Sequence, residues 1–144
     1  MRNTTPYLHF NGNAEEAMNF YKSVIGGEFI IFQRYKDVPG AEKMPARDQE
    51  RCIHISLKVS SNITIMASDT LGSGEALQAG NNFHICLHTD NDAETEKLFE
   101  GLSKNGRIEM PLNKTFWGAY FGMFRDKYGV QWMLSYAAEQ KSVM

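Results

Sequence analysis

The residues that could do chemistry are concentrated in Asn82 to Asn91, NFHICLHTDN. His84, Cys86 and His88 fall at every second position, and Phe83, Ile85 and Leu87 fill the positions between. That alternation predicts a strand with one apolar face against a core and one face carrying three groups that bind metals or move protons. Neighbours two apart on one strand face sit about 6–7 Å from each other, so His84 and Cys86 could chelate one soft metal. A tetrahedral site needs more ligands, and Met66, Met133, Thr64 and Gln131 are the candidates. Cys86 as a nucleophile would need a base and a lowered pKa, and His84 is a neighbour along the strand rather than across from it. The commoner arrangement for such a pair is a pocket lining with ordinary hydrogen bonds. His9 and His54 draw attention only by position, and His9 is expected to face away from the presumed cleft residues Leu8 and Phe10. Asp69 and Glu75 flank a glycine-rich connector. Either could be a general base, but a turn-capping carboxylate is the favoured reading.

These groups must be positioned by strands and helices that the pattern also predicts. Pro6–Asn11 reads as a strand. Asn13 stands as a helix N-cap with Glu16 three residues on, and Ala17, Phe20, Tyr21 and Val24 form an apolar stripe ended by Gly26-Gly27. Strands follow at 29–35, 51–59 and 63–69. The segment 37–50, with two prolines and mixed charge, reads as a lid or a disordered loop. The pattern then starts over. A shift of 78 residues places Asn13 on Asn91, Glu16 on Glu94, Tyr21 on Phe99 and Val24 on Leu102. Strands at 108–112, 116–125 and 130–136 complete the second copy, and the polar tail 137–144 is expected to fray. In the 116–125 strand, aromatics stand on both faces, with Trp117 a candidate cleft wall. A repeat of one supersecondary unit implies that neither copy buries its sheet alone. The expected fold class is α+β, with two βαβββ modules (about 5–69 and 82–136) forming a curved mixed sheet around a cleft in one domain, 1–144.

Composition narrows the function classes. The chain has 144 residues and a net charge of −2, so no basic footprint points to nucleic acid. Two cysteines, Cys52 and Cys86, read as free thiols of a reducing compartment, and cytoplasmic residence is expected. No apolar run reaches the roughly 18–20 residues that span a bilayer. The tests for a glycine-rich nucleotide fingerprint and for a GxSxG elbow are negative.

The βαβββ repeat, FNGNAEEAMNFYKSVIGGEF, MASD at 66–69 and MPLNKTFWGAYFGMFRDKYGVQW at 110–132 together resemble the PhnB-like branch of the vicinal-oxygen-chelate superfamily. That superfamily includes glyoxalase I, fosfomycin- and bleomycin-resistance proteins and extradiol dioxygenases. The resemblance covers nearly the whole chain and implies a homodimer. It also implies four metal-ligand positions, which fall on Pro6, Met66, His84 and Met133. Only His84 is a competent ligand, because proline offers no side-chain donor and thioethers suit hard or borderline divalent metals poorly. Some members of the branch carry a name implying ubiquinone methylation, but the sequence shows no nucleotide or methyl-donor loop.

The expectation is therefore a protein that binds an unknown small molecule, with a degenerate metal site, no cofactor and no identified catalytic set. Its cleft would be lined by Leu8, Phe10, Thr64, Met66, Ser68, His84, Cys86, Gln131 and Met133, with Trp117 as a wall. One alternative is a divalent-metal-dependent lyase, isomerase or transferase built on His84 with Cys86, His54 or Glu75. A second is a drug-sequestering protein, disfavoured by a cleft with no obvious carboxylate.

Overall fold

The computed structural model describes residues 1–138, and they divide into two compact units, 1–78 and the residues from Ala79 onward. In the first, β1 (Tyr7–Phe10) leads into α1 (Ala14–Ile25), followed by β2 (Glu28–Arg34), β3 (Cys52–Lys58) and β4 (Thr64–Asp69). The sheet order is β1-β4-β3-β2, with β1 parallel to β4 and the other pairs antiparallel. The second unit repeats this with β5 (Ile85–His88), α3 (Asp92–Ser103), β6 (Arg107–Lys114), β7 (Tyr120–Arg125) and β8 (Gln131–Tyr136), in the order β5-β8-β7-β6. Two βαβββ modules of an α+β fold are thus present, as the repeat predicted.

Each helix covers one face of its own sheet. In the first unit Leu8, Phe10, Ile55, Leu57, Ile65 and Ala67 are buried together with Ala14, Ala17, Met18 and Tyr21 of α1. In the second, Thr95, Phe99 and Leu102 of α3 are buried with Phe124, Trp132 and Leu134. Each large apolar side chain removed from water in this way stabilises the fold by about 1.5–3 kcal/mol.

The two helices start differently although their sequences match. Asn91 caps α3 as expected: its side chain accepts from the Glu94 nitrogen at 2.8 Å, and Glu94 accepts from the Asp90 nitrogen at 2.8 Å. Asn13 makes no side-chain cap bond. The Asp69 carboxylate does that work from the end of β4, accepting from the backbone nitrogens of Gly12 and Ala14 at 2.9 Å each, and from that of Cys52 at 2.9 Å. At the other end of α1, Gly27 has φ +98°, and a Cβ there would fall 2.6 Å from the Lys58 carbonyl oxygen.

Segment 37–50 is neither a bare lid nor disordered. It follows a 3-10 turn at Tyr35–Asp37 and holds a second at Ala41–Lys43 and a four-residue helix α2 (Ala46–Gln49). Asp48 is buried, and its carboxylate accepts from the Gly72 nitrogen at 3.4 Å. The expected strand start at Phe116 also fails. Thr115–Ala119 is a tight turn, closed by Thr115 N–H to Ala119 O at 2.8 Å, so Phe116 and Trp117 stand at a hairpin tip. Phe116 is 98% exposed.

Candidate functional site

The face of each sheet away from its helix is the place where side chains are available. Pairing register decides which residues occupy it. In the first unit Tyr7 pairs with Met66, and Met66 with Ser56; His9 pairs with Ser68, and Gln33 with His54. Leu8 and Phe10 pair with Ala67 and Asp69 and lie on the helix side, 7% and 3% exposed. The expected lining residues Leu8 and Phe10 are therefore core, and His9, expected to face away, takes the open face with Tyr7. The reason is local: in Tyr-Leu-His-Phe the apolar pair must follow α1 inward, which turns the polar-tipped pair outward.

Tyr7, His9, His54 and Ser68 form a connected group. The Tyr7 hydroxyl and His54 Nδ1 are 2.9 Å apart, and Ser68 Oγ and His9 Nδ1 are 3.3 Å apart. The Tyr7 ring lies between both imidazoles, 5.3 Å from His9 and 5.4 Å from His54. The Thr5 hydroxyl points at the Met66 sulfur at 3.7 Å. Ser56 Oγ, fully buried in the same row, has no hydrogen-bond partner among the described residues. Thr64 is half-buried at the end of β4, opposite Lys58. Beside His9 a cavity of about 640 Å³ is lined by Thr70, Glu75, Ala76, Leu77 and Gln78. The hollow is open to solvent, with His9 and residues 75–78 exposed.

In the second unit the open face carries Cys86, Met133 and Met123 in adjacent register, with Met110 opposite Met123. His88, Ser135 and Phe121 form the neighbouring row. Trp117 lies edge-on to Phe121, with ring centres 5.9 Å apart. The polar groups at the other margin are already engaged. His84 Nε2 is 2.9 Å from Glu109 Oε1. The Gln131 amide donates to the Phe83 carbonyl, and its oxygen accepts from Arg125 at 2.9 Å. Gln131, expected to face a ligand, is 5% exposed and holds the sheet margin together. Cys86 reaches solvent, yet partial burial pushes its thiol pKa up, which disfavours the thiolate and argues against a nucleophile. The Cys52 thiol is pushed up to about 11 by burial and by the charge of Asp69.

Sequence reasoning singled out Met66, Ser68, His84, Cys86 and Met133, and all five lie on open faces. It overlooked Tyr7, Glu109, Met110 and Met123. The alternation within YLHF was the signal for Tyr7 and His9. No local signal marks Glu109 or Met123: Met123 is brought into place by strand pairing, and Glu109, at a register shift of the edge strand β6, reaches His84 from the far side of the sheet.

The residues do not fit a hard divalent metal. Pro6 precedes β1, and the open-face position next to it belongs to Tyr7. Met66 and Met133 offer thioethers, and His84 is engaged by Glu109. Among the described residues no three His, Cys, Asp or Glu side chains are grouped to hold an ion. A nucleotide-bearing methyl donor fits no better at the β1–α1 junction. The free nitrogens that would cradle an anion at α1 are taken by the negative Asp69, and Arg51 fills the space beside Gly12, 3.1 Å from where a Cβ would lie.

Two βαβββ units with this strand order define the glyoxalase, bleomycin-resistance and dioxygenase class of folds. Residues 2–135 match the model of the family described as 3-demethylubiquinone-9 3-methyltransferase, and the chain belongs to that family, the PhnB-like branch of the vicinal-oxygen-chelate superfamily. It is 32% identical to protein YjdN of Escherichia coli K12, over 94% of this chain and 96% of that one. It is similar to the crystal structure of protein PA1353 from Pseudomonas aeruginosa, with 35% identity, a TM-score of 0.84 and coverage of 95% and 98%. It is also similar to a putative 3-demethylubiquinone-9 3-methyltransferase, PhnB protein, from Bacillus cereus, with 29% identity, a TM-score of 0.74 and coverage of 94% and 100%.

Proposed function

We propose that this glyoxalase-like protein binds a polar organic small molecule against the open face of its first unit, without a divalent metal. The observation that carries this is the open hollow of about 640 Å³ beside His9, whose lining of His9, Thr70, Glu75 and Gln78 brings polar side-chain types to one place on the first unit. The Tyr7–His54 and His9–Ser68 pairs extend the polar lining. The thioethers at Met66 and Met133 support the absence of a hard-metal centre. Cytoplasmic residence and assembly as a homodimer belong to the same proposal; exposed Ile30, Ile31 and Ile108 support the latter.

The test has two parts. Elemental mass spectrometry on untagged protein should find well under one equivalent of zinc, manganese, iron or nickel per chain, unchanged after addition of each ion and desalting. A thermal-shift screen of polar metabolites should then yield binders whose effect is lost in His9→Ala. One retained equivalent of a divalent metal would restore the lyase, isomerase or transferase reading. Binders that are indifferent to His9→Ala would remove the cavity.

The drug-sequestering reading gains one specific support. Glu75 lines the hollow beside His9, and a carboxylate there suits a cationic compound. Titration with metal-free bleomycin tests it directly: saturable binding lost in Glu75→Gln supports the reading, and no binding removes it.

A further inference from the structure

We propose that the open face of the second unit binds a soft monovalent d10 cation, Cu(I) or its redox-inert counterpart Ag(I), through Cys86, Met133 and Met123. This goes beyond the organic-ligand reading and rests on other residues.

The argument starts from register. Cys86 of β5 pairs with Met133 of β8, Met133 with Met123 of β7, and Met123 with Met110 of β6. Four sulfur side chains therefore stand in one row across all four strands. The antiparallel partners Met133 and Met123 hold their Cβ atoms about 4.5–5.5 Å apart on one face, and the parallel strands of Cys86 and Met133 lie about 4.7–4.9 Å apart. Met133 has a sulfur neighbour on each side, and three rotatable bonds let each thioether swing toward a shared point. Met110 is two strands from Met133 and three from Cys86, so it lies outside the set.

The row is not core filling. The helix-covered face of this sheet is packed by Phe124, Trp132 and Leu134, each 0% exposed. The sulfur row lies on the opposite face: Met133 and Met123 are half-buried, Cys86 is exposed and Met110 is 38% exposed. A thiol and thioethers select Cu(I) over hard divalent ions. The harder groups nearby are engaged: His84 with Glu109, Gln131 with Phe83 and Arg125. His84 and His88 each lie two residues from Cys86 on the same face; His84 is held by Glu109, and His88 is separated from the thioethers by its pairing with Ser135. Binding is a proton exchange without redox change. The Cys86 S–H bond breaks, its proton leaves to solvent, and the thiolate and two thioethers each donate an electron pair to the ion.

The experiment is an anaerobic titration of the full reduced chain with Cu(I), in competition with a chromogenic Cu(I) chelator, paralleled by Ag(I) followed by native mass spectrometry. One equivalent should bind, with release of one proton and protection of Cys86 from iodoacetamide. Cys86→Ser should weaken binding at least a hundredfold. Met133→Leu and Met123→Leu should each weaken it about tenfold, whereas Met66→Leu, Met110→Leu and His88→Asn should leave it unchanged. Circular dichroism confirms that each variant is folded. Equal affinity in wild type, Met133→Leu and Met123→Leu would reduce the site to a lone thiol and overturn the proposal. So would retention of binding in Cys86→Ser, or loss confined to His88→Asn.

Discussion

The carboxylate of Asp69 accepts the backbone N–H of Ala14 at 2.9 Å, joining the end of β4 to the start of α1. The same group accepts from Gly12 and Cys52, so one buried side chain fixes the helix, the β1–α1 turn and the start of β3. Asp69 is a structural residue, not a general base. In the second unit Asp126 is used comparably: it accepts from the nitrogens of Tyr128 and Val130 and from the Trp132 indole at 2.9 Å.

Asp69→Asn should destabilise the first unit by about 2 kcal/mol, because the amide cannot accept all three bonds and leaves a buried N–H unpaired. Urea unfolding should show a lower midpoint with an unchanged slope. An unchanged midpoint would mean that the three bonds are dispensable.

Ser56→Ala should be neutral or stabilising by up to about 1 kcal/mol, since it removes a buried hydroxyl without a partner and leaves the packing of Met66 and Tyr7 intact. A clear loss of stability in the same unfolding assay would show that the hydroxyl is hydrogen-bonded in solution.

Gly122→Ala should destabilise the second unit by about 1–3 kcal/mol. A Cβ at 122 would lie 2.6 Å from the Phe99 ring and 3.1 Å from Leu112, and Phe99 is itself held edge-on to Phe124 with ring centres 5.1 Å apart. Combining it with Phe99→Leu should recover part of the loss relative to the sum of the single changes, measured as a double-mutant cycle.

The thiols make stability fall at alkaline pH. Cys52 ordinarily titrates at 9.0 and is pushed up to about 11 in the fold by burial first and the charge of Asp69 second. Between these values the native chain holds a proton that the unfolded chain has lost. The stabilisation is therefore complete below about pH 9 and is lost as pH rises through about 11. Unfolding midpoints measured from pH 8 to 11 should decline, and Cys52→Ala should decline less. In the native protein Cys86 should react with an alkylating agent and Cys52 should not.

Glu75→Gln should weaken a cationic ligand of the first unit about tenfold, equivalent to 1.4 kcal/mol, and leave a neutral ligand unaffected. Isothermal titration of both ligand types separates charge recognition from shape. Equal losses for the two would place Glu75 in a structural role.

Much of this protein is set by sequence alone. The alternation in β3, β4, β5 and β8, the apolar stripes of the two helices and the repeat between modules determine the α+β fold, because a strand or helix that buries one face must write that face into its own period. The same logic placed Met66, Ser68, His84, Cys86 and Met133 opposite the core. What the tertiary structure decided is whatever depends on a partner distant in sequence. Equivalent asparagines, Asn13 and Asn91, promise equal helix caps, yet a carboxylate from β4 takes over at α1 because it is buried beside three free N–H groups. Leu8 and His9 exchange their expected faces because α1 needs the apolar pair. Met123 joins Cys86 and Met133 only through strand pairing, since register is a property of the sheet and no single strand encodes its neighbours, and Glu109 of one edge strand meets His84 beside the other only once the sheet is assembled.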